Sequence, residues 1–146
     1  MKNLLTINDL IEINNDRVKG YEKAMEQTQE DDLRSLFSEM AAQSRRNANE
    51  LGNLVRKAGK EPEEGTTVKG KIYRAWMDVK ATFAGNDRKS VLNACEFGED
   101  AAQKAYRSAL EEDELAGEAL QLVTRQKDEL MLSHDRVKSM RDQQTV

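Results

Sequence analysis

A single cysteine excludes an internal disulfide, and no run of the chain approaches the roughly 20 consecutive apolar residues of a membrane span. Proline occurs once and aromatic residues make up only 5% of the 146 positions, so neither a proline-rich linker nor an aromatic-rich β-sandwich core is available. Strand signals are absent. The opening MKNLLTIND is too short for a signal-peptide core, which makes the cytoplasm the expected compartment. Net charge is only −4 with both signs interspersed, so there is no basic field for nucleic acid, and none is expected as a partner.

What is present is charge at 34% threaded by apolar residues at helical spacing, the pattern of one domain of long helices with solvated outer faces. Helix 1 is predicted from about Ile7 to Gln27, capped by Thr6 or Asn8, with Ile7, Ile11, Asn14, Val18, Tyr21 and Met25 on its inner stripe. A short acidic turn, QEDD, leads into helix 2, about Asp31 to Ala58, whose line runs Leu33, Phe37, Met40, Ser44, Asn47, Leu51, Leu54. Gly59, Pro62 and Gly65 break it. Val68, Ile72, Trp76, Val79 and Phe83 then recur on one face of a separate amphipathic segment ended by Gly85, with Asp87 as the cap of helix 3.

Helix 3 carries Leu92, Cys95, Glu99, Ala102, Tyr106 and Ala109 on one stripe. A turn at Glu111 to Asp113 reverses it into helix 4, with Leu115, Ala119, Val123, Gln126, Leu130, Ser133 and Val137 inward and an end near Arg141. The expectation is an all-α single domain over 1–146. It is an antiparallel four-helix bundle made of hairpins 7–58 and 87–141, joined by a crossover, 59–86, that carries an extra amphipathic helix, as in ferritin-like folds.

The polar interruptions of these stripes line up. Asn14 lies 15 residues before Gln29 and Ser44 lies 15 after it, while Glu99 and Gln126 are 13 and 14 from Glu112. At 1.5 Å per residue all four helices place polar side chains at one level, roughly 20 Å from the turns. Carboxylate-bridged di-metal bundles hold their ions in such a layer, with a Glu from each of two helices and Glu-x-x-His from the other two. Here the positions read Asn14, Ser44-x-x-Asn47, Glu99 and Val123-x-x-Gln126. The sole histidine, His134, is eight residues past Gln126, about 12 Å along the helix, and cannot complete the layer.

INDLIEINNDRVKGYEKA, SRRNANEL, GTTVKGKIYRAWMDVK, GEDAAQKAY and SHDRVKSMRD together resemble a bacterial family of ferritin-like four-helix proteins known as a domain of unknown function. That resemblance implies a ferritin-like bundle distantly similar to rubrerythrin-type di-iron proteins, whose E-x6-Y pattern is matched by Glu99 and Tyr106. It implies no agreed activity; a stress-associated role comes from the wider superfamily alone.

Two functional classes follow. One is a non-enzymatic structural or interaction protein without catalytic residues or cofactor, in which the former metal layer, Asn14, Ser44, Asn47, Glu99 and Gln126, is a hydrogen-bond network supported by Tyr21 and Tyr106. In it Glu99 would be satisfied by Asn14, Asn47, Gln126 or a tyrosine, and Glu99→Gln would be tolerated. The other is an iron or other divalent-metal protein of oxidase or storage type, using Glu99 with Glu22, Glu96 or Glu129. Cys95 reads as inert packing, and His134 as a surface or helix-end residue. The apolar face Val68, Ile72, Trp76, Val79, Phe83 reads as bundle cover or as a homodimer contact, ahead of a membrane surface.

Overall fold

The computed structural model describes residues 2–65, 88–111 and 115–143, and among them every regular element is an α-helix. α1 runs Lys2–Gln27, α2 Asp31–Lys57, α3 Arg88–Glu111 and α4 Gly117–Asp142. α1 begins five residues before the expected start at Ile7, so Thr6 and Asn8 are interior helical residues and not caps. The apolar run through Leu4 and Leu5 extends the helical pattern toward the N-terminus, and Leu4 packs on the core.

Three residues separate α1 from α2. Thr28 Oγ1 accepts the Glu30 backbone N–H at 3.2 Å, and Asp32 Oδ1 accepts that of Leu33 at 2.9 Å. Asp31 and Asp32 lie in the first turn of α2, where the helix dipole favours negative charge. At the other end Gly59, φ +78°, closes α2: its N–H reaches Arg56 O at 2.9 Å, and that of Lys60 reaches Val55 O at 3.2 Å. This 6→1 and 5→2 pair is a Schellman cap, which needs the left-handed conformation that glycine adopts without a Cβ clash.

Cross-bundle pairs give the directions. Asn14 meets Tyr106 while Arg17 meets Glu99, so α1 and α3 are antiparallel. Gln43 meets Ser133 and Glu50 meets Arg125, so α2 and α4 are antiparallel too. Arg88, opening α3, donates to Glu30 and Asp32 at the start of α2, whereas α2 ends at the opposite end of the bundle, about 40 Å away for a helix of 27 residues. The end of α2 and the start of α3 thus lie at opposite ends of the bundle. The chain after α2 first lies along α1: the Glu63 N–H donates to Asn8 Oδ1, and Asn15 Nδ2 donates to Gly65 O at 2.8 Å. Pro62 sits over Gly52, where an added Cβ would meet its ring at 3.4 Å. The expected amphipathic segment Val68, Ile72, Trp76, Val79, Phe83 and the cap Asp87 lie outside the described residues.

Two apolar clusters, each drawing on all four helices, form the interior. Tyr21, Leu36, Phe37, Met40, Leu92, Cys95 and Val137 make one. Ile7, Leu10, Ile11, Leu51, Val55, Ala102, Tyr106, Val123 and Leu130 make the other. Val18 and Met25, expected on the inner stripe of α1, are half-buried; in their register Leu10, Asn14, Arg17, Tyr21 and Ala24 are the fully buried positions. No helix among the described residues is long and apolar enough to cross a membrane.

Candidate functional site

Between the two apolar clusters lies a polar slab, and its centre is an ion pair. Arg17, 0% exposed, and Glu99, 2% exposed, face each other across the α1–α3 seam. Nε donates to Glu99 Oε2 at 2.6 Å and the Nη2 group donates to Oε1 at 2.8 Å, the bidentate fork that a planar guanidinium makes with a carboxylate. Nη1 turns to α2 and donates to Gln43 Oε1 at 2.8 Å and Ser44 Oγ at 2.9 Å. The guanidinium lies 5.3 Å above the centre of the Tyr21 ring, which packs on Phe37. All three nitrogens of Arg17 are engaged, which is what makes its burial tolerable.

From Ser44 the bonds continue. Its hydroxyl donates to Asn14 Oδ1 at 2.9 Å, which also accepts from Asn47 Nδ2 at 3.3 Å. Asn14 Nδ2 donates to the Tyr106 hydroxyl at 2.8 Å, and that hydroxyl donates to Gln126 Oε1 at 2.7 Å. Gln126 Nε2 reaches Asn47 O and Glu50 Oε1, both at 3.2 Å, and Glu50 meets Arg125 at the surface. A second branch runs from Gln43 to Ser133 at 3.1 Å. One connected network thus joins all four helices.

Asn14, Ser44, Asn47, Glu99 and Gln126 are therefore brought together, with Tyr106 as a bridge and Tyr21 as the floor under Arg17. The partner expected for Glu99 was an amide or a tyrosine; its bidentate partner is Arg17, and the Tyr21 phenol also lies against the carboxylate. A carboxylate at 2% exposure is costly to bury, and the Arg17 guanidinium offsets that cost with opposite charge and two hydrogen bonds where a neutral amide would bring no charge. Arg17 was legible in principle, since Leu10, Asn14, Arg17, Tyr21 and Ala24 recur at spacings of four, three, four and three. Ser133 was on the predicted inner stripe of α4 and is buried, whereas Gln43 and Glu50, which also extend the network, carry no comparable signal of their own.

The alternative metal set is dispersed. Glu22 pairs with Arg45 on the surface, Glu96 pairs with Arg141, and Glu99 is held by Arg17. Two divalent ions need several anionic oxygens and imidazoles. Inside the slab Glu99 is already neutralised by Arg17, Glu50 at its edge is paired with Arg125, and the remaining groups are amides and hydroxyls, so these residues do not fit a di-iron centre.

Burial and the Glu99 charge push the Cys95 thiol and the Tyr21 phenol well above their ordinary pKa values, with Arg17 only partly opposing. Burial also raises the Tyr106 phenol. His134 lies outside the slab, its ring between Asp100 and Asp135.

The fold and its centre define an all-helical bundle pinned by a buried guanidinium–carboxylate pair. Residues 2–112, spanning α1 to α3, match the family described as Domain of unknown function (DUF2383), and the chain belongs to that family. No curated protein matches it.

Proposed function

We propose that this chain is a ferritin-like bundle in which a guanidinium stands where relatives of rubrerythrin type hold iron, and that it serves as a non-enzymatic structural or interaction protein. The antiparallel neighbours and the connection between opposite bundle ends, starting along α1, support the one-crossover topology. The observation that carries the functional reading is the bidentate Arg17–Glu99 pair at the centre of the slab. It supplies internally the positive charge that a metal would bring, and the side chains linked from Glu99 through Arg17, Ser44, Asn14 and Tyr106 to Gln126 spend their hydrogen bonds on one another.

The test is aerobic addition of ferrous iron to purified protein, following oxidation and retained iron, with crystals soaked in iron for anomalous scattering. The expected result is no oxidation beyond the buffer rate and no anomalous peak beside Glu99. A peak there, or catalysed oxidation that His134→Ala leaves intact, overturns the reading. The interaction partner proposed is a second copy, met through Val68, Ile72, Trp76, Val79 and Phe83. Sizing should give a dimer for the full chain and a monomer for Trp76→Asp; a monomeric full chain removes this partner.

A further inference from the structure

Glu96 and Asp100 are four apart on α3, so they share one face of that helix, next to the side on which Glu99 enters the slab. α4 runs beside that face and brings His134 to it. One ligand atom from each of the three lies within 4.8 Å of the others, the one such grouping of histidine and carboxylate donors among the described residues. We propose that Glu96, Asp100 and His134 form a site for one divalent transition-metal ion of the zinc type, clamping α3 to α4.

The histidine chemistry points to a cation. Nε2 lies 2.5 Å from Asp100 Oδ1 and Nδ1 lies 3.1 Å from Asp135 Oδ1. A neutral imidazole carries one N–H and one lone pair. With a carboxylate oxygen against each nitrogen, one of them faces lone pair against lone pair unless a cation stands between. A proton is one such cation, and a metal ion is the other.

Asp135 adds a second feature of built sites. By accepting from Nδ1 it leaves the Nε2 lone pair aimed at Asp100, the carboxylate–imidazole arrangement that orients metal-bound histidines. Zinc binds imidazole and carboxylate at about 2.0 to 2.2 Å, so donors sharing an ion stand within roughly 4 Å of one another. Asp100 is largely exposed and His134 half-buried, so closing by several tenths of an ångström costs little. Arg141 now pairs with Glu96 but also donates to Asp142 at 2.7 Å, and keeps that partner when Glu96 turns to the ion. One nitrogen and two oxygens from the protein, with water completing the sphere, favour zinc, cobalt or nickel over the all-oxygen preference of calcium and magnesium. The site is independent of the reading of the bundle centre, because its donors touch neither Arg17 nor Glu99.

The experiment titrates chelator-treated full chain with zinc chloride at neutral pH, by calorimetry and by nitrogen-15 NMR of the sole imidazole. Expected are one zinc per chain and a coordination shift at Nε2. Affinity should fall by more than tenfold in His134→Ala and about tenfold in Asp135→Asn, which removes only the orienting carboxylate. Magnesium should give no heat. Circular dichroism of both variants should show that the bundle is intact. An absence of stoichiometric zinc, or an imidazole whose signal and titration are the same with and without zinc, overturns the site: the cation is then the proton alone. Zinc bound equally well by His134→Ala overturns it as well.

Discussion

Arg17 and Glu99, 82 residues apart in sequence, share two hydrogen bonds of 2.6 and 2.8 Å with neither side chain open to solvent. The pair belongs to different hairpins, so it is one of the few polar ties holding α1 to α3. Its value to the fold is specificity of alignment: a guanidinium fork fits its carboxylate at one rotation and one height of the two helices.

Glu99→Gln leaves Arg17 charged in the interior without a counter-ion. Loss of one partner of a buried pair costs about 3–5 kcal/mol, so urea unfolding should show a loss of that order, contrary to the tolerance that a neutral network would give. Replacing both, Arg17→Met with Glu99→Leu, should recover most of it. A double variant as unstable as Glu99→Gln alone would place the cost elsewhere.

Tyr106→Phe keeps the ring in its cluster and deletes the hydroxyl that accepts from Asn14 and donates to Gln126. Gln126 Oε1 loses its donor in a dry interior, a cost of about 1–3 kcal/mol. Chemical denaturation reads it directly, and an unchanged midpoint would mean that the amides re-pair without the phenol.

Cys95 is wholly buried, and its thiol is pushed up by burial and by Glu99, so little thiolate forms in the native protein. A disulfide reagent should label the folded chain at least ~10³-fold more slowly than the urea-unfolded chain. Fast labelling without denaturant would contradict the inert packing role.

His134 gives the fold a pH dependence whose sign follows from proton linkage. Its pKa is raised on folding, so the stabilisation is complete below the unfolded value near 6.5 and is lost as pH rises through the higher folded value. In the absence of added metal, the melting temperature should fall from just below pH 6.5 upward, and His134→Gln should flatten that slope. Zinc should reverse the trend, because the ion replaces the departing proton.

Much of this was legible along the chain, since helical periodicity is local. Leu92, Cys95, Glu99, Ala102, Tyr106 and Ala109 fall on one side of α3 whatever it packs against, and all six are buried. The shared level of Asn14, Ser44, Asn47 and Gln126 follows from counting residues out from two short turns. The start of α1 was not legible at the N-terminal end: Thr6 and Asn8 carry cap-forming side chains, but the helix continues through them to Lys2.

The sequence by itself determined α2, α3 and α4 with their inward faces, and the height of the polar slab, because helical spacing and residue counts from a turn are read along the chain alone. Tertiary structure alone decided which register α1 presents and what meets Glu99. An arginine on an apolar stripe is ordinarily placed in water, and its inward turn becomes favourable only once a carboxylate 82 positions away and acceptors on α2 have been assembled around it. The same holds for His134, whose neighbours Glu96 and Asp100 are made by the packing of α4 on α3, not by any motif along the chain.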